Sequence, residues 1–421
     1  MPDASIAAHT VDLPAGPARL LVLPTPIADV VSFRASFGTG PDLSSDDDIR
    51  QGLLVDLLDK GTRRRDRFAV AEELEGMGAE LTFESDGLRV GFTGKALRAD
   101  LDAVLAIAAE QLLEPALAPD EVAKAVTNAV ASVRRSLDST STRASGALRR
   151  RLYPEPHPNY TLRPEVELAA LDALDADALR AYHERHVGPR DFTIAVVGDA
   201  DPEATRRAVA GAFGAWDTAP PEPVFAREAA PQPPGRETVE LPDRPNLDVR
   251  LGHAVALRRD AHDFLAAYAA VFALGGNFSG HLMQTIRDEQ GLTYGINASL
   301  SDVAVEHDCH MRVSVTLSAP DLERGIEATR TEVARFVEQG VSAEALERTR
   351  TALAGRHVVA LATTSGFATR LLINAERGFS MAYIDRYPER VAALELDAVN
   401  AALRRYVRPD DLHVVAAGTP A

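Results

Sequence analysis

The chain has 421 residues, which is more than one ordinary hydrophobic core holds, so two or more domains are expected. Hydrophobic residues make up 46% of the chain and charged residues 25%, as in soluble globular proteins. A net charge of −17 argues against nucleic acid or an anionic membrane as the main partner, and the single cysteine, Cys309, excludes an intrachain disulfide.

The N-terminal residues lack the basic segment and apolar run of a signal peptide. No apolar run approaches the roughly 18 residues that a membrane-spanning helix requires. A cytoplasmic location is therefore expected, with the periplasm as the alternative if the N-terminus is processed.

Hydrophobic periodicity divides the first half of the chain into strands and helices. The clearest strand is 31–37, in which every second residue is apolar, and the clearest helix begins at Leu101, with apolar residues at i, i+3, i+4, i+7 and i+11. In chain order, the predicted elements are strands 18–23 and 31–37, helices 49–58 and 68–77, strand 88–92, helices 101–112, 119–150 and 174–186, strand 192–197 and helix 202–216.

A proline-rich stretch follows, with six prolines in residues 217–236, and it predicts an extended linker. After it the alternation of strands and helices resumes. The predicted elements are strand 247–251, helix 262–274, a short helical segment with Leu282 and Ile286 on one face, strands 292–300 and 311–317, helix 322–336, two further helices and strand 412–417.

An internal repeat relates the two halves. When residues 173–198 are compared with 393–418, ten of the 26 positions are identical, several-fold more than chance gives in an alanine-rich chain. Each copy reads as a helix, Val-x-Pro-x-Asp, a buried strand and Gly. The sequence therefore predicts an α+β protein of two homologous domains, 1–216 and 237–421, each a mixed β-sheet with helices packed mainly on one face, joined by the linker.

The stretch 275–295 brings together the residues with the most chemical potential. Arg287 lies near the end of the short helical segment, Gly291 closes that segment, and Tyr294 follows in the predicted strand. A guanidinium and a phenol on either side of one turn can hold a peptide carbonyl and stabilise a developing oxyanion. The alternative is structural: an arginine at a helix end and a tyrosine at a strand edge.

This stretch resembles the arginine–tyrosine segment of the insulinase-like (pitrilysin-type) zinc peptidases, which include the mitochondrial processing peptidase. The resemblance covers roughly residues 15–418, because three further motifs occur in the family's order. It implies a clam-like pair of domains, and it makes Gly275 and Gly276 candidate substrate-binding residues of a glycine-rich loop. The three motifs are Lys60-Gly61-Thr62, LYPEPHPNY (152–160) and VGPRDFTIAVVGD (187–199).

The zinc motif of that family, H-x-x-E-H, is missing. Alignment on Lys60-Gly61-Thr62 places Gly52 and Asp56 at the two histidine positions, Val55 at the glutamate and Ser132 at the third ligand. No histidine occurs between His9 and His157, so a site of two histidines and one glutamate cannot form there. The resemblance therefore implies no metal and no cofactor in this chain.

Other histidines were weighed as sites. His307, Cys309 and His310 lie within four residues, but on a strand His307 and Cys309 would share one face and His310 the other, which disfavours a common metal. His183 and His186, three residues apart on a predicted surface helix, read as solvated. His281, beside Gly280, could approach a substrate or pack locally.

The resemblance implies a function in trans. Inactive chains of the family often pair with active ones, so we expect a non-zinc subunit, inactive alone, whose Arg287 and Tyr294 act at the zinc of a homologous partner with an intact motif during peptide-bond hydrolysis. One alternative is a non-catalytic structural or peptide-binding relative. Another is an enzyme of a different kind that uses the His307 cluster.

Overall fold

The structure is a computed structural model that describes residues 6–230 and 232–420. The chain divides into two compact units, and neither unit is continuous in sequence. Unit 1 comprises residues up to 131, 165–224 and 358–385, and unit 2 comprises 132–164, 225–357 and the residues from 386.

The strands and helices are numbered in chain order. The strands are β1 (Ala7–Leu13), β2 (Gly16–Pro24), β3 (Val30–Gly38), β4 (Glu80–Ser85), β5 (Arg89–Leu97), β6 (Arg190–Gly198), β7 (Arg236–Glu240), β8 (Asn246–Val255), β9 (Ile296–Ser301), β10 (Cys309–Ser318) and β11 (His413–Gly418). The α-helices are α1 (Asp47–Val55), α2 (Arg67–Gly76), α3 (Leu101–Leu113), α4 (Pro119–Ser136), α5 (Thr140–Leu152), α6 (Pro164–Asp172), α7 (Ala176–His186), α8 (Pro202–Phe213), α9 (Phe264–Gly275), α10 (Leu322–Gln339), α11 (Ala343–Ala360), α12 (Thr364–Glu376), α13 (Ala382–Ala392) and α14 (Leu396–Tyr406), and a π-helix spans Met283–Glu289.

Unit 1 is built on a six-stranded mixed sheet of order β1-β2-β6-β3-β5-β4. Only the β2–β6 pair is parallel. The alternation predicted for β3 places Phe33 and Phe37 in the main core of the unit, with α3 and α8, whereas Ser32, Arg34 and Ser36 point to the opposite face. The predicted α+β class is thereby confirmed for this unit.

Unit 2 has a five-stranded mixed sheet of order β7-β11-β8-β10-β9. Its parallel pair is β7–β11, and the remaining pairs are antiparallel. This order repeats β2-β6-β3-β5-β4 of unit 1 strand for strand, and β1 is an addition to unit 1. The apolar helix α9 and the amphipathic helix α10 contribute to the main core on one face.

The 220-residue shift matches element to element. Helix α7 corresponds to α14 at a shift of 220, and β6 corresponds to β11. Helices α4 and α5 correspond to α11 and α12 at a shift of 224. The repeat found in the sequence is thus a repeat of structure, and it extends well beyond the segment in which identities are visible.

The units exchange one helix each. Helix α5 belongs to the first half of the sequence but packs on β8 and β11, whereas its counterpart α12 belongs to the second half but packs on β3 and β6. Both helices lie on the sheet face opposite the main core. Ala147, Leu148 and Leu152 of α5 contact Val415 and Ala417, and Phe367, Leu371 and Leu372 of α12 pack with Leu21, Leu23 and Val197.

The exchange changes the predicted domain boundaries of 1–216 and 237–421. One passage between units, from Val224 to Phe225, falls within the predicted linker, but residues 132–164 and 358–385 also change unit. A contiguous division assumes that each helix packs on the sheet nearest in sequence, and α5 and α12 do not.

Local signals account for the remaining differences. The predicted helix 119–150 is two helices, because Ser139 caps α5 by accepting a hydrogen bond from the Thr142 N–H at 3.2 Å.

Within the described residues, no individual helix has the length and apolar character to cross a bilayer, although α11 and α12 pass that test when taken together across their break.

Candidate functional site

The segment that carries Arg287 starts from the end of α9. This helix ends at Gly275, where a Cβ atom would meet the backbone nitrogen of Ala298 at 2.7 Å. At Gly276 a Cβ would meet Phe272 at 2.6 Å. The packing of α9 therefore requires both glycines. Their contact with a substrate stays a prediction.

Arg287 lies in the π-helix, whose wider turn is closed by the Gln290 N–H donating to the Thr285 carbonyl at 3.2 Å. Such wide turns are rare and occur often at functional sites. The Arg287 side chain is one-third exposed, pairs with Asp288 at 2.9 Å and lies 4.8 Å from the ring centre of the exposed Phe278. Leu282 and Ile286 are fully buried, as the sequence predicts, so the segment is anchored beneath the exposed arginine.

Tyr294 lies in a short tethered loop. Its residue surface is 99% exposed, so the phenol packs against little of this chain. The loop around it is held before Tyr294 by the Thr293 hydroxyl, which donates to the Thr316 carbonyl at 2.7 Å, and by the buried Leu292, and after it by the buried Ile296. The backbone is therefore fixed on both sides of a side chain that points into solvent.

The predicted strand 292–300 is wrong at its start. Strand β9 begins at Ile296, because Gly291 has φ +65° and the following residues run as a loop to Gly295. Tyr294 breaks the expected alternation, since it is exposed where Leu292 and Ile296 are buried. In the part of the chain that the structure describes, no hydrogen bond joins Arg287 to Tyr294.

The positions aligned with the zinc motif lie at the end of α1 in unit 1. Val55 is the last residue of that helix, and the N–H of Asp56 donates to the Gly52 carbonyl at 3.2 Å. Val55 and Asp56 line a cavity of about 580 Å³, which β4 and α4 complete. On α4, Asn128 lines this cavity, and Ser132, one turn further along, is exposed.

The charges in this cavity are largely paired with one another. Glu121 lies 2.9 Å from Lys124 and 3.7 Å from Arg67. Asp56 is at the rim, where partial burial, and then the carboxylate of Asp59, raise the pKa of its side chain. The lining of the cavity thus contains three acidic and three basic residues, whose charges balance.

These residues do not fit a zinc ion. Zinc requires at least three nitrogen, sulfur or carboxylate donors, and of the four aligned positions only Asp56 offers one. Over residues 6–230 and 232–420, no group of three or more His, Cys, Asp or Glu side chains is arranged to hold a metal.

The histidines near Cys309 form a buried cluster in unit 2. Strand β10 begins at Cys309, which enters the main core, while His310 points to the α5 face and its Nδ1 lies 3.0 Å from the Tyr153 hydroxyl. His307 precedes the strand and contacts the ring of His157, so it does not share a face with Cys309 as predicted. Burial lowers the pKa of His157 to about 4 and of His310 to about 3, so both are neutral near pH 7.

The remaining histidines are also structural. His183 and His186 were expected in solvent but are buried, with His183 Nε2 2.7 Å from the Leu112 carbonyl and His186 Nδ1 3.2 Å from the Thr39 carbonyl. The spacing on α7 did not reveal that this side of the helix faces the protein. His281 Nε2 lies 2.9 Å from Glu332, which is local packing.

Two arginines of unit 2 were missed by sequence reasoning. Arg250 on β8 and Arg312 on β10 lie on the α5 face of the sheet. The alternation of β10 gives a signal for Arg312, since Arg312, Ser314 and Thr316 alternate with the apolar residues of the strand. No feature of the sequence indicates that Arg250 lies beside it.

The chain matches two family models, each over a continuous stretch. The model described as insulinase (peptidase family M16) matches residues 53–165, and the model described as peptidase M16 inactive domain matches residues 173–353. Together they span more than half of the chain. The protein therefore belongs to the peptidase M16, or insulinase, family.

Sequence relatives are described as zinc proteases. An uncharacterized zinc protease of Streptomyces coelicolor is 22% identical over 364 residues, which are 83% of this chain and 76% of the relative. An uncharacterized zinc protease of Mycobacterium tuberculosis is 24% identical over 251 residues, 59% of this chain and 56% of the relative.

Solved structures share the fold. The chain is similar to a peptidase M16 inactive domain from Pseudomonas fluorescens, with a TM-score of 0.88, 19% identity and coverage of 99% and 98% of the two chains. It is similar to a protease from Helicobacter pylori, with a TM-score of 0.85, 14% identity and 99% of both chains covered. The ferredoxin protease FusC has a TM-score of 0.79 and 13% identity over 99% of this chain and 46% of its own.

Proposed function

We propose that this chain is the non-zinc subunit of a heterodimeric insulinase-like metallopeptidase. The observation that supports this proposal is the exposure of Tyr294. A 99% exposed phenol on a tethered loop contributes little to packing, yet its hydroxyl can donate to an oxyanion. Because the zinc positions of this chain lack donors, the centre that Tyr294 serves would belong to a second polypeptide.

The roles of the two side chains follow from their chemistry. The Tyr294 hydroxyl would donate a hydrogen bond to the oxyanion that forms at the scissile carbonyl. Arg287 would bind a neighbouring carbonyl of the substrate, and its exposed pair with Asp288 is weak enough to be exchanged for that contact. The partner would supply the zinc and the general base.

Two proteins that share the fold are about twice as long as the stretch that this chain matches. This chain matches 46% of FusC, described in complex with Arabidopsis ferredoxin, and 47% of the periplasmic protease PqqL of Escherichia coli. Each of those chains has a further half of comparable length. We propose that the role of that further half is taken, for this protein, by the zinc-bearing partner.

The decisive experiment replaces Tyr294 by phenylalanine in the assembled pair. The chain is co-expressed with a relative from the same source that carries H-x-x-E-H, and the complex is assayed on a peptide. Tyr294→Phe is expected to lower kcat by about 10²–10³-fold, the typical effect of one oxyanion donor. Tyr160→Phe, which removes a phenol elsewhere in unit 2, serves as the matched control. A folded Tyr294→Phe pair with full activity would leave this chain a scaffold.

Arg287→Ala also distinguishes a catalytic subunit from a structural or peptide-binding relative, through KM as well as kcat. A carbonyl contact acts in the ground state and in the transition state, so both KM and kcat are expected to deteriorate. The alternative, a structural or peptide-binding relative, predicts normal cleavage by both variants. Failure of the chain to associate with any zinc-bearing relative would contradict the subunit proposal itself.

A further inference from the structure

The α5 face of the unit 2 sheet carries an arginine without a counter-charge. Arg312 lies opposite Gly252 of β8 and Ser299 of β9. The described residues provide its guanidinium with neither a hydrogen bond nor an ion pair, and its buried Nε is unpartnered. A half-buried cation normally has a partner, so its absence needs an explanation.

A second arginine lies diagonally beside it. Arg250 is opposite Ser314, two residues along β10 from Arg312, so both side chains point to one face. Arg250 is 6% exposed and is held by the hydroxyls of Ser141 at 2.6 Å and Ser145 at 3.1 Å on α5. Burial, and then the charge of Arg250, lower the pKa of Arg312, as expected for two like charges at close range.

The acidic groups nearby are already engaged. Asp248 accepts hydrogen bonds from Thr140 at 2.6 Å and Thr316 at 3.1 Å and lies 3.4 Å from Arg250. Asp302 is paired with Arg149 of α5 at 2.7 Å. In a chain of net charge −17, this face therefore keeps one unneutralised positive charge.

Unit 1 provides an internal control, since the repeat places Arg34 of β3 where unit 2 has Arg250. Arg34 is likewise bonded to the exchanged helix, through Thr369 at 3.4 Å. Ser36 of β3 corresponds to Gly252 of β8, and the residue opposite Ser36 on β5 is Gly91. Glu84 of β4 lies over Gly91 and pairs with Arg34. Unit 2 has Arg312 in place of Gly91 and Ser299 in place of Glu84. The fold does not require an arginine at the position of Arg312, and the arginines on this face of unit 1, Arg34 and Arg89, are paired with Glu84 and Glu376.

We propose that Arg312, with Arg250 beside it, forms a binding site for the side-chain carboxylate of an Asp or Glu residue of a peptide. A guanidinium fork binds a carboxylate through two parallel hydrogen bonds. Two residues along β10 from Arg312, at Ser314, begins a cavity of about 320 Å³ that Arg250 and Asn297 also line, which is room for one side chain. An extended peptide along the edge strand β9 would place every second side chain on this face.

The same cavity is lined by Gly295, which follows Tyr294. The carboxylate site therefore adjoins the loop that is proposed to contact a substrate. That the carboxylate comes from a peptide substrate rests on the proposed function. The binding itself is measured on the isolated chain, so its failure leaves the Tyr294 experiment unaffected.

The test compares two labelled peptides by fluorescence anisotropy at low salt, one containing Asp and Glu and one containing Asn and Gln at the same positions. The acidic peptide is expected to bind at least about tenfold more tightly, and Arg312→Gln to remove that advantage, because a charged hydrogen-bonded pair is worth about a factor of ten or more. Arg34→Gln, which removes the arginine that unit 1 has at the position of Arg250, is the matched control and should leave binding unchanged.

A second variant protects the test against misfolding of Arg312→Gln. Ser299→Glu introduces the acidic residue that unit 1 has at the corresponding position, and it should abolish the preference while the chain remains folded. Equal binding of the two peptides by the unmodified chain would overturn the proposal. Displacement of the acidic peptide by inorganic phosphate of comparable affinity would assign the site to free oxyanions and overturn the peptide as its ligand.

Discussion

The end of α1 in unit 1 and the loop before β9 in unit 2 differ in what their side chains contribute. At α1, Leu53 and Leu54 are at most 3% exposed and pack in the core, whereas the neighbouring Gly52 has no side chain that could bind zinc. At the loop, the packing residues are Leu292 and Ile296, and the residue between them, Tyr294, is 99% exposed.

This comparison separates the requirements of folding from those of chemistry. Unit 1 has the helix, the cavity and the buried leucines, but only Asp56 of the positions aligned with the zinc motif offers a donor. Unit 2 holds an exposed tyrosine at a position where packing requires none. A side chain that does not stabilise the fold is best explained by what it contacts outside the chain, and this is why Tyr294 carries the proposed function.

The largest predicted effects are losses of unfolding free energy on truncating a buried leucine, and they should be similar in the two units. Leu148 of α5 and Leu372 of α12 occupy equivalent positions and are 0% and 2% exposed. Replacing either by alanine removes buried methyl groups and leaves a cavity, so each variant should lose about 2–5 kcal/mol of unfolding free energy. Denaturant unfolding measures the loss, and hydrogen exchange should locate it in unit 2 for Leu148→Ala and in unit 1 for Leu372→Ala.

The exposed Thr142→Ala on α5 is the control and should change the unfolding free energy by less than about 0.5 kcal/mol. If Leu148→Ala loosened the protection of β3 and β6 instead of β8 and β11, the exchange of helices between the units would be contradicted.

Acid should affect unit 2 more than unit 1. Burial lowers the pKa of His157 and of His253 to about 4, and of His310 to about 3, and all three belong to unit 2. A histidine whose folded pKa lies below its unfolded value, about 6.5, stabilises the fold fully above pH 6.5. Below that pH the unfolded chain binds protons first, so stability falls as the pH approaches 4.

The expected loss is of order 1 kcal/mol for each of these histidines between pH 7 and pH 5. Hydrogen exchange at the two pH values, corrected for the intrinsic rate, should show a larger loss of protection in β8, β10 and β11 than in β3, β5 and β6. His253→Gln should flatten the pH dependence, whereas a change at His262, whose side chain is 90% exposed, should not. Equal losses in the two units would contradict the assignment.

Sequence periodicity predicted the central elements because burial on one side imposes it. Strands β3 and β10 and helices α3 and α10 start within two residues of their predicted positions. The edge strands β1, β4 and β7 were missed, although exposed and less exposed residues alternate in each, because each is short and has at most two large apolar residues on its inward side. The sequence also did not show on which sheet α5 and α12 pack. The pattern of an amphipathic helix shows that it has an apolar face but not which sheet covers that face.

The candidate site was predicted unevenly for the same reason. The apolar alternation through Leu292 and Ile296 is real, but it does not tell a strand from a tethered loop, so Tyr294 was placed in β9. The absence of zinc donors near α1 needed no structure, because it depends only on residue types. The pairing of Arg250 with Arg312 depends on the register of β8 and β10, which the sequence does not specify.

The smallest predicted effects concern the arginine charges on the α12 face of the unit 1 sheet and on the α5 face of the unit 2 sheet. The pair of Arg34 and Glu84 is 27% and 53% exposed by side chain, and exposed pairs contribute about 0.2–1 kcal/mol. Glu84→Gln should therefore lower the unfolding free energy by no more than about 1 kcal/mol, and less at high salt. Ser299→Glu in unit 2 should raise it by a similar amount, because the new carboxylate would lie beside the unpaired Arg312. Thermal melting at low and high salt, with the double variant Ser299→Glu/Arg312→Gln as control, measures both changes. If Ser299→Glu changed the unfolding free energy equally with and without Arg312→Gln, the new carboxylate would gain nothing from Arg312, and the contrast between the two sheet faces would not hold.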